Sequence, residues 1–160
     1  MAHNIFGTNM AFAGETPWHG IGTRISPKAS IDEVLQAVAF YDVREVPLFA
    51  AGINGPVPDR KALVASNDGR YLATVGADYG VIQYRELYEP MVKALHGQVI
   101  WHTAALLGER GERCFLTCEF PEGLKVKGDP SAYRDYAVLA NGHDGSTAAK
   151  AFDVSQRVVC

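Results

Sequence analysis

Imidazole, carboxylate and hydroxyl side chains meet at two places in this sequence. The run Glu15-Thr16-Pro17-Trp18-His19-Gly20-Ile21-Gly22-Thr23 puts a carboxylate, an indole and an imidazole on a glycine-hinged loop. There His19 could act as a general base or donate to a phosphate, with Glu15 fixing its tautomer and Trp18 stacking on a ring. The plainer role is structural, with Trp18 pinning the segment to a sheet and His19 satisfying a backbone carbonyl. The run Asn141-Gly142-His143-Asp144-Gly145-Ser146-Thr147 is rich in side chains that bond their own backbone, so turn chemistry accounts for most of it. It also brings together the groups of a hydrolase, yet neighbours such as His143 and Asp144 point to opposite sides wherever the chain is extended. A mononuclear metal would need a third ligand, from His19, His102 or Asp153. No spacing resembles a helical histidine pair or a cysteine knuckle, so neither metal nor cofactor is expected.

Other catalytic patterns are weaker. No glycine-flanked serine sits between a strand and a helix, and Cys114 and Cys118 fall within one strand. Four residues of strand separate their Cα atoms by about 13 Å, beyond disulfide reach, so both are expected to stay reduced in the core. Cys160 is either a free terminal thiol or the point where a longer chain was cut. Gly76-Ala77-Asp78-Tyr79-Gly80 lacks the third glycine and the lysine of a phosphate loop. On these residues the chain leans away from enzymes.

Cations and rings give a more specific pattern. Arg60, Lys61, Arg70, Arg85 and Lys93 are interleaved with Tyr71, Tyr79, Tyr84 and Tyr88. Arginine and lysine track phosphates while aromatic rings stack on bases, the combination that holds single-stranded nucleic acid. The competing reading is a solvated face paired with Asp59, Glu86 and Glu89. Fifteen Lys and Arg against eighteen Asp and Glu leave a net charge of −3, which excludes a uniformly basic coat but not a local basic face. The longest apolar runs fall far short of the ~20 residues of a membrane span, and the first 25 residues lack a secretory signal pattern, so a soluble cytoplasmic protein is expected.

These side chains must be positioned by few elements. One hundred and sixty residues, 48% of them apolar, are enough for one core without metal or disulfide. Six glycine and proline breakers before residue 29 predict an N-terminal arm over 1–29, followed by a single domain over 30–160. Ser30 three residues before Glu33 caps an amphipathic helix with Val34, Leu35 and Val38 inward, ending near Phe40. Strands follow from Tyr41 and over Lys61–Ser66 and Arg70–Val75, with Asn67-Asp68-Gly69 closing a hairpin. A second helix spans Tyr84–His96, kinked at Pro90 or beginning near Glu89. Gly97 ends it, and hairpin strands Gln98–Leu107 and Glu112–Phe120 follow. A charged turn over Pro121–Pro130 with Lys125, Lys127 and Asp129 precedes strands Tyr133–Ala140 and Thr147–Val159. The expected fold is α+β, order α-βββ-α-ββββ, with two helices on one twisted antiparallel sheet of about seven strands.

Three stretches together carry a family resemblance. The opening Glu15–Thr23 run, the middle Val75-Gly76-Ala77-Asp78-Tyr79-Gly80-Val81-Ile82-Gln83, and the closing Asn141–Ser146 with Arg157-Val158-Val159-Cys160 resemble the phage/plasmid-like protein family, a bacterial and phage domain of unknown function. Members run on past the Val-Val-Cys motif into a largely helical region, which implies that this chain is the N-terminal part of a longer architecture. The resemblance transfers no catalytic residues and implies a mobile-element origin. It raises the expectation of nucleic-acid handling, and three strands followed by a helix is also the core order of phage single-strand annealing proteins. The leading expectation is therefore a non-enzymatic single-strand-binding or annealing module, with Arg60, Lys61, Arg70, Arg85 and Lys93 on phosphates and Tyr79, Tyr84 and Trp18 as stacking rings. Two alternatives are an inhibitor or decoy docking on a host protein, and a hydrolase using His19, Glu15, His143 and Asp144. An oligomer is compatible with each, and a membrane partner is not expected.

Overall fold

Ser30 starts the first helix as its side chain allows. The hydroxyl accepts the Glu33 amide while the Glu33 carboxylate accepts the Ser30 amide, satisfying two orphan donors of the first turn. Helix α1 spans Ile31–Val38, buries Val34 and Val38 four residues apart, and ends at Ala39 in the left-handed region. Helix α2 spans Tyr84–Ala94 without a break at Pro90, whose ring lies on the exposed side, and it begins at Tyr84 rather than near Glu89. Its N-terminus is fastened to the chain elsewhere: the Gln83 side chain exchanges two hydrogen bonds of 2.9 Å with the Val43 backbone.

The computed structural model describes residues 4–17, 19–94, 100–120 and 133–157. Among them are nine strands in two sheets, not the single sheet of about seven expected. β3 (Val43–Phe49), β4 (Pro56–Ala65) and β5 (Tyr71–Gly76) form a small antiparallel sheet. β6 (Ile100–Leu107), β7 (Arg113–Glu119), β8 (Tyr133–Gly142) and β9 (Lys150–Arg157) form consecutive antiparallel neighbours in a six-stranded sheet. The other two strands come from the segment expected to be an irregular arm. β1 (Ile5–Phe12) pairs antiparallel with β6, and the short β2 (Thr23–Arg24) pairs parallel with its end. The α-βββ-α-ββββ order holds from residue 30 onward, and the arm adds two strands in front of it.

Both sheets turn one face into a common core. Val43, Leu63, Ala65, Ala73 and Val75 of the small sheet meet Val34 and Val38 of α1 and Tyr84 and Tyr88 of α2. Leu106, Cys114, Leu116, Cys118 and Leu139 close the core from the large sheet. Period-two alternation then sends the intervening residues to the far faces. On the large sheet that far face is partly roofed: Met10, Phe12 and Ala105 form a second buried cluster, with Gly22 packed against Met10. Farther along the same face Phe152 and Val154 of β9 are 48% and 42% exposed.

Candidate nucleic-acid interface

The far face of the small sheet has no such roof among the described residues. Register fixes what it displays. Arg44, Val64 and Tyr71 form one row across the three strands, Val46, Ala62 and Thr74 the next, and Arg60 opposite Gly76 the third. Arg44 and Arg60 are exposed, separated along the strand direction by four residues, about 13 Å. Tyr71 is 44% exposed and its hydroxyl meets Thr74 Oγ1 at 3.0 Å. A third arginine joins from the β6–β7 turn, the Arg110 guanidinium lying 5.4 Å from the centre of the Tyr71 ring.

None of Arg44, Arg60 and Arg110 has an ion-pair partner among the described residues. Glu45, beside Arg44, belongs to the opposite face and pairs with Lys61 at 2.9 Å. Arg110 stacks on the Tyr71 ring, Arg44 stands two strands away in the same row, and Arg60 lies two rows farther along the same face.

The turn that carries Arg110 is held on several sides. Glu112, buried at 7% exposure, accepts the Arg110 amide at 2.9 Å, and its carboxylate fills the space beside Gly108, where a Cβ would come within 2.3 Å of it. Arg70 Nε donates to the Arg110 carbonyl at 2.8 Å, and the Tyr41 hydroxyl donates to the Gly111 carbonyl. Gly111 has φ +65° and lies against the Phe6 ring, where a Cβ would meet it at 2.9 Å.

Of the cations singled out by the sequence, only Arg60 lies on this face without an ion-pair partner among the described residues. Lys61 points to the opposite face. Arg70 is half-buried, paired with Asp68 and packed on the rings of Phe6 and Tyr41 at 4.6 and 5.1 Å. Arg85 pairs with Asp32 and, at 3.2 Å, with Glu89, and Lys93 reaches the same Glu89 at 3.9 Å. These acids raise the Arg85 pKa, Asp32 foremost and Glu89 next.

The expected stacking rings are corrected similarly. Tyr84 is 2% exposed, so it offers no face to a base, and desolvation drives its hydroxyl well above the usual tyrosine range. Tyr79 is half-buried and donates to the Gly142 carbonyl at 2.8 Å, while Trp18 lies outside the described residues. Tyr71, Arg44 and Arg110 are what sequence reasoning undervalued or missed. Strand parity held the signal, because Arg44 and Arg60 alternate with the inward Val43, Leu63 and Ala65.

The histidine clusters do not assemble. His143 is fully buried, its ring between Tyr84, the Ile82 carbonyl and Asn141, while half-buried Asp144 turns outward to accept Ser146 N at 2.9 Å and Oγ at 2.7 Å. Asp144 also faces Arg113 at 3.7 Å; burial works against its charge, but the Ser146 hydrogen bonds and Arg113 leave its pKa lowered. The opposite orientations expected of this pair are present. His19 accepts the Ile21 amide on Nδ1 at 3.1 Å and Glu15 is exposed. Their segment continues into Gly22, packed on Met10 on the large sheet's far face, whereas His143 lies on the core face. His102 is also on the far face, its ring 4.9 Å from Tyr136 and 3.0 Å from Thr103 Oγ1. Burial lowers its pKa. Asp153 is exposed on β9.

Among the described residues no three His, Cys, Asp or Glu side chains are grouped to hold a metal, and no helix is long and apolar enough to cross a membrane. Cys114 and Cys118 are free and buried, their thiols pushed up to about 12 by desolvation. Residues 95–99, the charged turn with Lys125, Lys127 and Asp129, and the closing Val158–Cys160 lie outside the described residues.

Comparison with curated proteins and with solved structures gives no match. A family profile described as a domain of unknown function, DUF932, matches residues 71–160, which takes in Tyr71, Arg110 and the His143 turn but not Arg44 or Arg60. That span covers more than half of the chain and includes the middle and closing stretches on which the family resemblance rests, so the chain belongs to the DUF932 family of domains of unknown function.

Proposed function

We propose that this chain binds single-stranded nucleic acid on the open face of its three-stranded sheet, without catalysing a reaction. One observation carries the reading: among the described residues Arg44, Arg60 and Arg110 have no ion-pair partner, and they share a sheet face with the exposed Tyr71 ring, on which Arg110 stacks. Guanidinium groups supply charge and flat donor arrays to phosphates, and the ring supplies a sequence-tolerant platform for a base. The net charge of −3 does not oppose this, because binding follows local potential at distances within a Debye length, about 8–10 Å at moderate salt. A phage or plasmid origin, in which single strands arise during replication and recombination, belongs to the same proposal.

The test is the salt dependence of binding to a labelled oligodeoxynucleotide, read by fluorescence anisotropy. A variant carrying Arg44→Ala, Arg60→Ala and Arg110→Ala should flatten the slope of log K against log salt by about 2, since each phosphate contact on a single strand contributes roughly 0.7. The variant with Arg85→Ala and Lys93→Ala should retain the wild-type slope. Absence of binding by the wild-type chain at 50 mM salt, or equal losses in the two variants, would overturn the reading.

A further inference from the structure

The β3–β4 hairpin runs on past the sheet that carries it. β5 pairs with β4 only as far as Arg60, opposite Gly76, whereas β3 and β4 stay paired out to Phe49 and Pro56. The hairpin bends where β5 ends: Asp59 has φ +55°, its carbonyl accepts the Ala77 amide at 3.1 Å, and the register shifts between Pro47 and Phe49. At the tip the Ile53 amide donates to the Ala50 carbonyl at 3.2 Å, and Gly52 and Gly55 take φ of +82° and +104°. A Cβ at either glycine would meet nothing within 4 Å among the described residues, so the tip stands clear of the rest of the chain.

Its composition is unusual for an exposed turn, which ordinarily combines glycine and proline with polar residues. Val46 to Pro58 contains no charged residue, and Phe49 and Ile53 are 68% and 46% exposed. Pro47, Pro56 and Pro58 fix φ and carry no amide proton, which stiffens the hairpin and denies a full ladder to any strand laid along it. The tip therefore offers apolar side chains rather than a backbone edge, and a protein partner adding a strand does not suit it.

What lies behind the tip identifies its occupant. Along β4 the tip is followed by Arg60, four residues from Pro56, and then by Val64, four residues farther, in one row with Tyr71 and Arg44. Each of these steps is at most about 13 Å. An apolar point, a cation without an ion-pair partner among the described residues and an exposed ring thus follow one another along one strand direction. Apolar wedges of phenylalanine, isoleucine and proline enter between bases and unstack them, while neighbouring cations hold the phosphates.

We propose that the β3–β4 hairpin is a wedge for the junction between double and single strand: Phe49 and Ile53 cover the last base pair, and the strand released there passes Arg60 toward Tyr71. This deepens the reading of the sheet face as a single-strand site and rests on it.

The probes are a hairpin oligodeoxynucleotide with a single-stranded tail, carrying 2-aminopurine in its last base pair, and the tail alone. The wild-type full chain should bind the tailed hairpin at least about five-fold tighter than the tail, the lower end of what stacking a base on an aromatic ring contributes, and should change the 2-aminopurine fluorescence. In Phe49→Ser with Ile53→Ser, two exposed substitutions that should leave the thermal melt unchanged, both signs of the junction should vanish while tail affinity stays within about two-fold of wild type. Arg44→Ala, Arg60→Ala and Arg110→Ala together should weaken binding of both probes by more than about ten-fold. Equal wild-type affinity for the two probes, or a preference kept in the tip variant, overturns the wedge and leaves the sheet face standing. A junction preference untouched by the arginine variant overturns the sheet-face reading and the path past Arg60 while the wedge stands, and binding of neither probe overturns both. Vesicles of phosphatidylserine and phosphatidylcholine test the tip against a membrane surface: cosedimentation lost in the tip variant, without a junction preference, assigns the tip to lipid and overturns the wedge.

Discussion

The outer side of helix α2 and the open face of the small sheet both display arginine, and they differ in company. On α2, Arg85 lies between Asp32 and Glu89, and Lys93 shares Glu89, so every cation there has an acid within reach. On the sheet, Arg44 and Arg60 stand among Val46, Ala62, Val64 and Thr74, and the nearby Glu45 faces the other way. A polyanion gains little by approaching a charge already neutralised, because the ion pair must be broken first. Adding an acid to one region or removing acids from the other therefore probes the same principle from two directions.

The largest effect should come from placing a carboxylate in the middle row of the sheet. Thr74→Glu sets a negative charge on the face shared by Arg44 and Arg60, beside the Tyr71 hydroxyl. Thr74 is exposed, so folding stability should change by no more than about 0.5 kcal/mol. Oligonucleotide affinity should fall by more than about ten-fold, because one guanidinium is neutralised and a repulsive charge faces the phosphates. A binding titration alongside a thermal melt separates the two. Unchanged affinity in a folded variant would make the sheet no more important than the helix.

Next in size is the aromatic contrast. Tyr71→Ala should weaken binding by about 1–3 kcal/mol if a base stacks there, while Tyr71→Phe, which keeps the ring, should bind nearly as well as the wild type. Tyr84→Phe should leave neutral-pH affinity close to wild type, since Tyr84 is enclosed by Phe40, Tyr41 and His143 and meets no ligand. Anisotropy titrations of the three variants decide whether the exposed ring or the buried one matters.

Why the sequence grouped the α2 cations with those of the small sheet follows from what sequence spacing can carry. Ser30 with Glu33, and the alternation in β3 to β8, are local signals, so helix α1 and the order of elements from residue 30 were legible. β1 was not, because Gly7 adopts φ +54° and the register with β6 shifts between Ile5 and Met10, so no unbroken alternation marks it. The split into two sheets depends on which strands meet in space, a matter of long-range pairing. Burial of Tyr84 was within reach, since it shares an inward face with Tyr88 four residues on. The neutralisation of Arg85 was only half so: Glu89 is its i,i+4 neighbour, but Asp32 comes from another helix 53 residues away. Arg110 was hidden more deeply, because its approach to Tyr71 depends on a turn fixed by Glu112, Arg70 and Tyr41.

The smallest expected change tests the helix side directly. Asp32→Asn with Glu89→Gln would free Arg85 and Lys93 and shift the net charge from −3 to −1, two acids fewer among the eighteen. General electrostatics alone should then raise oligonucleotide affinity about two-fold at low salt and less as salt screens it. If the bound strand stays on the sheet, the salt slope should match wild type to within one phosphate contact, roughly 0.7. A slope steeper by a full contact or more would mean that the strand reaches α2 once its acids are gone, so that neutralisation rather than position keeps the helix out of the site. The same titration with Arg44→Ala added settles which surface holds the polymer: affinity should drop as it does in the otherwise native chain, because the freed helix cations lie on a different face from Arg44.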